Sequence, residues 1–264
     1  MGTAAVQGKL WGTSPRNWAD YQEAFFTPIY NAILDRSGIT AGSAGMRVLD
    51  VGCGAGLFCA LAAKRGATVS GLDAAEGLLD VARRRTPSGD FRQGEMEELP
   101  FADGTFDVVT GFNSFQYAAD PVNALRQARR VSKPSAKVAM AVWGLAKDCQ
   151  SAAVVKAMGI LLPPPPPGAS GPFALSEPGV LEDMLSKAGL KAGEPEDVDT
   201  PFDFTTEDEA CRGFASSGPG VRAADLAGEE KLRAALLSAV APFKTMSGRV
   251  HMDNKFRFVV ARAE

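Results

Sequence analysis

The stretch VLDVGCGAGLF, residues 48–58, places three glycines at alternate positions directly after a short apolar run. Glycine at Gly52, Gly54 and Gly56 permits positive φ angles and lets a ligand approach the backbone. The pattern predicts a buried strand, a tight loop and then a helix. Free N–H groups and partial positive charge collect at a helix N-terminus, so the loop indicates a nucleotide-like ligand.

The same order of strand and helix repeats along the middle of the chain. Strands are predicted at 46–51, 68–72, 91–93, 106–112 and 137–143, with helices at 55–65, 75–85 and 121–131. Such alternation is typical of parallel βαβ units in a doubly wound sheet. Later helices are predicted at 151–162, 176–187, 206–217 and 226–241, and later strands at 198–204 and 255–261. The sequence therefore predicts an α/β fold with helices on both faces of the sheet.

The ends of the chain differ in pattern from this middle part. Residues 1–10 are expected to be disordered, and a helix rich in aromatic residues is predicted from Ser14-Pro15 to about Asp35. We predict four regions: 1–45 as a lid helix, 46–145 as the cofactor-binding core, 146–175 as a helix with a proline-rich connection, and 176–264 as the rest of the core with inserted helices over the substrate site. The five prolines at 163–167 favour a polyproline II rod, either as a spacer or as a docking site.

Composition restricts the possible partners. The net charge of −3 gives no long-range attraction to nucleic acid or to an anionic membrane. No apolar run reaches the roughly 18 residues of a membrane span, and no secretory signal is recognisable, so a cytoplasmic location is expected. The 4 cysteines lack metal-ligand spacing, so no metal site is predicted.

Two features bear on which nucleotide the glycine loop could hold. The dinucleotide fingerprint G-x-G-x-x-G does not fit, because the third glycine comes one residue early and Leu57 stands in its place. Asp73, at the end of the second predicted strand, lies 21 residues after Gly52. A carboxylate there can accept hydrogen bonds from both ribose hydroxyls. Its alternative role is as an N-cap of the next helix, and the two roles can coexist.

A family resemblance follows from these residues together with the stretch LPFADGTFDVV, residues 99–109. The loop Asp50-x-Gly52-x-Gly54-x-Gly56, the acid at 73 and this stretch resemble class I S-adenosylmethionine-dependent methyltransferases. The ubiquinone/menaquinone-biosynthesis type and its small-molecule relatives are the most similar, over roughly residues 16–145. The resemblance implies a Rossmann-like sheet of seven strands whose last strand is antiparallel, with S-adenosyl-L-methionine as cofactor and S-adenosyl-L-homocysteine as product.

The resemblance also implies a set of cofactor-binding residues. They are Asp50, Gly52, Cys53, Gly54, Asp73, Ala74, Glu95, Met96 and Asn113. Asp73 would hold the ribose, Glu95 would accept from the adenine amine, and Asn113 would lie where the amino-acid end of the cofactor meets the substrate. The family commonly has aspartate-alanine where Glu95-Met96 stands here, so the longer carboxylate would reach the ring differently.

A sulfonium cofactor also suits aromatic faces. Trp18 and Tyr21, on the predicted lid helix, are candidates for that role, and their alternative is to form the core of that helix.

Methyl transfer mainly needs alignment and desolvation, and a base only where the acceptor must lose a proton. His251, the only histidine, is the candidate base, or else a surface or packing residue. The candidates for contact with substrate are Phe115, Gln116, Tyr117 and Trp143.

The expected partner is a small, partly apolar molecule, and neither nucleic acid nor a membrane span is expected. The chain is expected to be a monomer or a homodimer. Two other functions remain open: a protein that binds the cofactor without methylating, and an NAD-dependent oxidoreductase.

Overall fold

The N-terminal segment is helical almost throughout in the computed structural model, which describes residues 2–164 and 171–263. Its helices are α1 Ala4–Gly12, α2 Pro15–Tyr21 and α3 Thr27–Ser37, with a 3₁₀ turn, Glu23–Phe26, before α3. The expected disorder of residues 1–10 and the single helix from Ser14 to Asp35 are therefore wrong. Pro28 lies in the first turn of α3, where a missing N–H is tolerated, and this favours a new helix start.

Five strands form the parallel part of the sheet. They are β1 Arg47–Val51, β2 Thr68–Asp73, β3 Asp90–Gln93, β4 Phe106–Phe112 and β5 Ser132–Trp143. Their order in space is β3-β2-β1-β4-β5, and every neighbouring pair is parallel. The connecting helices are α4 Leu57–Lys64, α5 Glu76–Arg85 and α6 Pro121–Val131. The predicted doubly wound α/β fold is confirmed. The glycine loop lies at the carboxyl end of β1, the edge where open α/β sheets bind their ligands.

The sheet continues beyond β5 with antiparallel pairing. Two more helices, α7 Ala152–Ile160 and α8 Val180–Lys187, come before β6 Leu190–Lys191 and β7 Glu196–Asp199. The last strand, β10 Lys255–Ala263, is antiparallel to β5, β6 and β7, which confirms the predicted direction of the last strand. The short strands β6 and β7 both pair with β10, so the described part of the chain forms a sheet of eight strands where seven were expected.

The predicted strand 198–204 is divided into two pieces. Its first part belongs to β7, whereas β8, Phe202–Phe204, pairs with β9, Val250–Met252, in a separate two-stranded ribbon. Pro201 lies between the pieces, and a proline cannot donate to the ladder.

The region between β8 and β9 holds three helices where two were predicted. They are α9 Glu207–Ala215, α10 Gly218–Ala227 and α11 Glu229–Val240. The glycines and the proline at 218–220 gave no helix signal, yet the Ser217 hydroxyl accepts from the Gly220 N–H at 3.2 Å and caps α10. These helices contact α1, α2 and α7, so they cover the same edge of the sheet as the N-terminal helices.

Two apolar layers bury the faces of the sheet. One lies between the sheet and α3, α4 and the inserted helices, and the other lies under α6 and α8. No helix among residues 2–164 and 171–263 is both long enough and apolar enough to cross a bilayer. The expectation of a polyproline rod falls largely on residues 165–170, outside the described part of the chain.

Candidate cofactor and substrate site

The glycine loop between β1 and α4 has three positive φ angles, 75° at Gly52, 54° at Gly54 and 78° at Gly56. A Cβ on Gly52 would lie 2.4 Å from the Cβ of Ser114, and one on Gly56 would lie 2.6 Å from the Cβ of Ala82. Gly52 and Gly56 therefore serve close backbone packing as well as the turn. Gly54 is the least crowded of the three and is the position where a ligand could approach the loop.

Asp73, at the end of β2, binds the loop through its carboxylate. Its Oδ2 accepts from the Gly54 N–H and its Oδ1 from the Ala75 N–H, both at 2.8 Å. Burial raises the pKa of Asp73, and these backbone N–H groups oppose that rise. Each carboxylate oxygen has a second lone pair, so the side chain can still accept from ribose hydroxyls. The loop, β2 and the start of α5 are thus held together by one side chain.

Asp50 supports the loop from inside the fold. Its side chain is 2% exposed, and its Oδ1 accepts from the Thr110 hydroxyl at 2.7 Å. Burial raises the pKa of Asp50 to about 7, and the neighbouring carboxylates of Asp73 and Glu23 add to the rise. These contacts make Asp50 a link between β1 and β4.

Glu23 is a residue of this site that no sequence pattern predicted. It is 1% exposed, and its Oε1 accepts from the N–H of Leu57, the first residue of α4, at 3.2 Å. Its Oε2 forms an ion pair with Arg85, which also donates to the Ala55 carbonyl at 2.9 Å. Burial raises the pKa of Glu23, and Arg85 opposes that rise. The carboxylate occupies the helix N-terminus where a dinucleotide enzyme binds its pyrophosphate.

Glu95 and Ala74 line a cleft of about 570 Å³ between α1 and the ends of β2 and β3. The Glu95 Oε2 accepts from the Ala4 N–H at 2.9 Å, so this carboxylate also caps α1. A Cβ on Gly8 would lie 2.4 Å from the Ala74 carbonyl oxygen. The cleft thus brings together two of the expected cofactor-binding residues under α1. Met96 packs against the apolar layer below α6 instead.

The two aromatic candidates of the lid lie in different places. The Trp18 Nε1 is 3.5 Å from the Cβ position of Gly54, and the ring stacks on Phe26 at 5.8 Å. Tyr21 lies by α9, with the Arg212 guanidinium 5.9 Å from its ring centre. The structure therefore brings Trp18 to the loop, and Tyr21 to the inserted helices.

The segment after β4 lies against the loop and carries unpaired polar atoms. Asn113 has a φ of 48°, and its Oδ1 accepts from the Gln116 Nε2 at 3.2 Å. The hydroxyl of Ser114 and the Oε1 of Gln116 are buried and have no hydrogen-bond partner among the described residues. Buried polar groups are nearly always paired, so unpaired ones beside the loop fit a site that takes a polar ligand.

The other three residues that were predicted to contact substrate lie in different parts of the structure. Phe115 is fully buried in the apolar layer between the sheet and α6. Burial raises the pKa of Tyr117 to about 12, and its ring lies edge-on to Trp11 at 5.8 Å beside α1. Trp143 belongs to an aromatic cluster, with the Phe256 ring 4.5 Å away.

His251 lies in the middle of β9, and its side chain is 45% exposed. Its neighbours Val250 and Met252 are buried, so the alternation of the strand turns the imidazole to the outer face of the ribbon. There it lies opposite Asp203 and 3.3 Å from the Asp253 Oδ1. The structure places no residue of the glycine loop in hydrogen-bonding contact with it.

This placement predicts that His251→Ala leaves methyl transfer unchanged. A general base must come within hydrogen-bonding reach of the proton it removes, and the imidazole faces away from the core. Measuring kcat of the wild type and of His251→Ala from pH 6 to pH 9 checks this prediction. A decrease in kcat of about tenfold or more, together with a changed pH profile, would support His251 as the general base.

Comparison with known proteins agrees with this geometry. Residues 49–140 match the family described as "Methyltransferase domain". A ubiquinone biosynthesis O-methyltransferase of Pseudomonas aeruginosa is 38% identical over 136 residues, 46% of this chain and 55% of that relative. The chain thus spans about half the length of the curated relatives that it matches. The resemblance seen in the sequence is confirmed, and S-adenosylmethionine is supported as the cofactor of this domain.

Solved structures with the same fold have diverged far in sequence. A candidate methyltransferase of Bacillus halodurans C-125 superposes with a TM-score of 0.60 at 18% identity, covering 89% of this chain and 98% of that one. The [4+2]-cyclase SpnF superposes with a TM-score of 0.57 at 19% identity, covering 98% of this chain and 92% of that one. These likenesses extend the shared fold over most of the chain, beyond the part that matches by sequence.

Proposed function

We propose that this chain, whose residues 49–140 match the family described as "Methyltransferase domain", transfers a methyl group from S-adenosylmethionine to a small molecule. The observation that carries the proposal is the pair of 2.8 Å hydrogen bonds that Asp73 accepts from Gly54 and Ala75. These hydrogen bonds hold the loop against the carboxylate that would bind the ribose, at the carboxyl edge of the sheet.

The chain's own residues supply binding and alignment. Asp73 would accept from the ribose hydroxyls, Glu95 from the adenine amine, and the loop at Gly54 would admit the methionine part. The bound cofactor supplies an activated methyl group for in-line displacement, and its leaving thioether needs no acid. Trp18, whose Nε1 lies 3.5 Å from the Cβ position of Gly54, would help to exclude water from the loop.

A cluster of aromatic rings lies at the carboxyl end of β5, the edge of the sheet where an acceptor would meet the cofactor. Phe202, Phe256 and Trp143 meet at the end of β5, and the ring centres of Trp143 and Phe202 are 5.8 Å apart. Side chains of this kind favour a partly apolar acceptor. A hydroxyl acceptor is supported by the printed name of the relative, an O-methyltransferase.

Binding without methylation is the second candidate function. It is favoured by one observation, that a chain with this fold is named as a cyclase. A nicotinamide-dependent oxidoreductase is disfavoured by Glu23, since its carboxylate stands where the pyrophosphate would bind.

The test is a turnover assay with S-adenosylmethionine and a panel of acceptors: hydroxylated benzoates, quinols, small amines and short acyl thioesters. We expect S-adenosylhomocysteine to form, detected by mass spectrometry, with at least one acceptor that bears a hydroxyl. Tight cofactor binding without product across the panel would favour the second candidate function.

A further inference from the structure

Helix α1 lies over the cleft beside the glycine loop although none of its residues is buried. It has 9 residues, and isolated helices shorter than roughly 12–15 residues are marginal in water. Apolar burial, which holds most helices of a folded protein in place, contributes little here. The position of α1 therefore depends on a few specific contacts with the body of the protein.

Two hydrogen bonds hold the start of α1. The Ala4 N–H donates to the Glu95 Oε2 at 2.9 Å, and the Thr3 hydroxyl donates to the Tyr117 carbonyl at 2.6 Å. Glu95 follows β3, and Tyr117 lies in the segment after β4. The first turn of α1 is thus fastened to the carboxyl edge of the sheet, where the cofactor would bind.

The middle of α1 lies directly on the residue that follows Asp73. A Cβ on Gly8 would collide with the Ala74 carbonyl oxygen and would lie 3.5 Å from the Ala74 Cβ. Only glycine at position 8 lets the helix approach this closely. The contact places α1 beside the end of β2, next to the carboxylate that would bind the ribose.

The cleft keeps space for a ligand while α1 is in place. Ala5, Gly8 and Lys9 of α1 line one side of it, and Ala74 and Glu95 line the other. Its volume of about 570 Å³ is within the roughly 300–1,000 Å³ that is usual for small-molecule sites. A ligand can therefore lie between α1 and the sheet and touch both.

We propose that α1 forms the outer wall of the adenine end of the cofactor site, and that docking of α1 and binding of adenine stabilise each other. The inference rests on the proposed function and adds a coupled conformational element to it. Glu95 links the two events, because its Oε2 accepts from α1 and its oxygens have further lone pairs for the adenine amine. Such coupling is reciprocal: a ligand that favours docked α1 binds more tightly when α1 is docked.

Hydrogen exchange measured by mass spectrometry on the full chain tests this coupling without any substitution. We expect S-adenosylhomocysteine, and adenosine at saturation, to slow exchange of the α1 amides by about fivefold or more. Helix α11, Glu229–Val240, lines no part of the cleft, and its rate should stay within about twofold. Calorimetry on the same samples establishes that the ligand is bound.

The exchange experiment separates this inference from the proposed function. Bound S-adenosylhomocysteine that leaves the exchange of α1 unchanged, or speeds it, would overturn the coupling and leave the proposed function standing. No binding of S-adenosylhomocysteine would refute the proposed function, and the inference with it.

Thr3→Val removes an anchor of α1 that does not line the cleft. We expect faster exchange of α1 in the free protein and a Kd for S-adenosylhomocysteine about threefold higher, the scale of one net hydrogen bond. Thr105→Val is the matched control, because its hydroxyl also donates to a carbonyl, that of Ala102, at 2.7 Å. The control should change neither quantity.

Gly8→Ala provides a stronger displacement of α1, with Gly159→Ala of α7 as its matched control. Alanine favours the helix at both positions, but a Cβ at 159 meets nothing within 4 Å. We expect Gly8→Ala to speed exchange of α1 and to raise the Kd about tenfold, and Gly159→Ala to leave both unchanged. Faster exchange of α1 with an unchanged Kd, in Gly8→Ala or in Thr3→Val, would overturn the proposal.

Discussion

Replacing Asp73 by alanine is expected to weaken S-adenosylmethionine binding by about 1–3 kcal/mol, the scale of lost hydrogen bonds to a charged group. The structure adds a reason for the upper half of that range. The carboxylate also accepts from the N–H groups of Gly54 and Ala75, so its removal loosens the loop as well as the ribose contact. Isothermal titration calorimetry on the wild type and on Asp73→Ala measures this difference in binding free energy.

Asp90→Ala is the matched control for this prediction. Asp90 begins β3, is exposed and pairs with Arg92. Its loss should change cofactor affinity by less than about 0.5 kcal/mol, as is usual for surface substitutions. Equal cofactor affinity of Asp73→Ala and the wild type would refute the ribose assignment.

Glu23→Ala is expected to destabilise the fold by about 2–4 kcal/mol, slightly less than the roughly 3–5 kcal/mol that is typical of breaking a buried ion pair. The change leaves the Arg85 guanidinium without its carboxylate and the Leu57 N–H without its acceptor. Arg85 retains the Ala55 carbonyl and is partly exposed, which moderates the loss. Urea unfolding followed by circular dichroism measures the free energy of unfolding.

Two further variants make this second prediction specific. Asp208→Ala removes an exposed carboxylate that pairs with Arg212 and Arg233, and it should cost less than about 1 kcal/mol. In a double-mutant cycle, Arg85→Ala should recover part of the loss caused by Glu23→Ala. If Glu23→Ala lowers the free energy of unfolding no more than Asp208→Ala does, then Glu23 does not stabilise the contact of the lid segment with the loop.

Local patterns predicted the central part of the fold well. Helix α6 has the predicted bounds, 121–131, and β4 has 106–112, because each is a periodic segment with clear turn residues at its ends. The contact of the loop with Asp73 was not predicted, but it follows from topology, since the carboxyl ends of neighbouring parallel strands share one edge.

The parts that could not be predicted depend on contacts between distant segments. Helix α1 has no buried residue, and the hydrogen bond that the Ala4 N–H donates to Glu95 joins residues 91 positions apart. Glu23 gave no sequence signal, because its role depends on Arg85 and on the start of α4 being brought beside it. Tertiary contacts of this kind override local propensity.

The same limit applies to the acceptor side of the site. Phe115 follows a strand at the active edge, yet its side chain turns into the apolar layer under α6. The neighbours of a side chain, not its position in the sequence, decide whether it faces a ligand.

The central claim is that the loop at 52–56 takes S-adenosylmethionine and not a dinucleotide. The most direct test is calorimetric titration of the full chain with S-adenosylmethionine and, separately, with NAD⁺. We predict saturable binding of S-adenosylmethionine, weakened by Asp73→Ala, and no measurable binding of NAD⁺, since Glu23 fills the anion position at α4. Binding of NAD⁺ with the greater affinity would contradict the account.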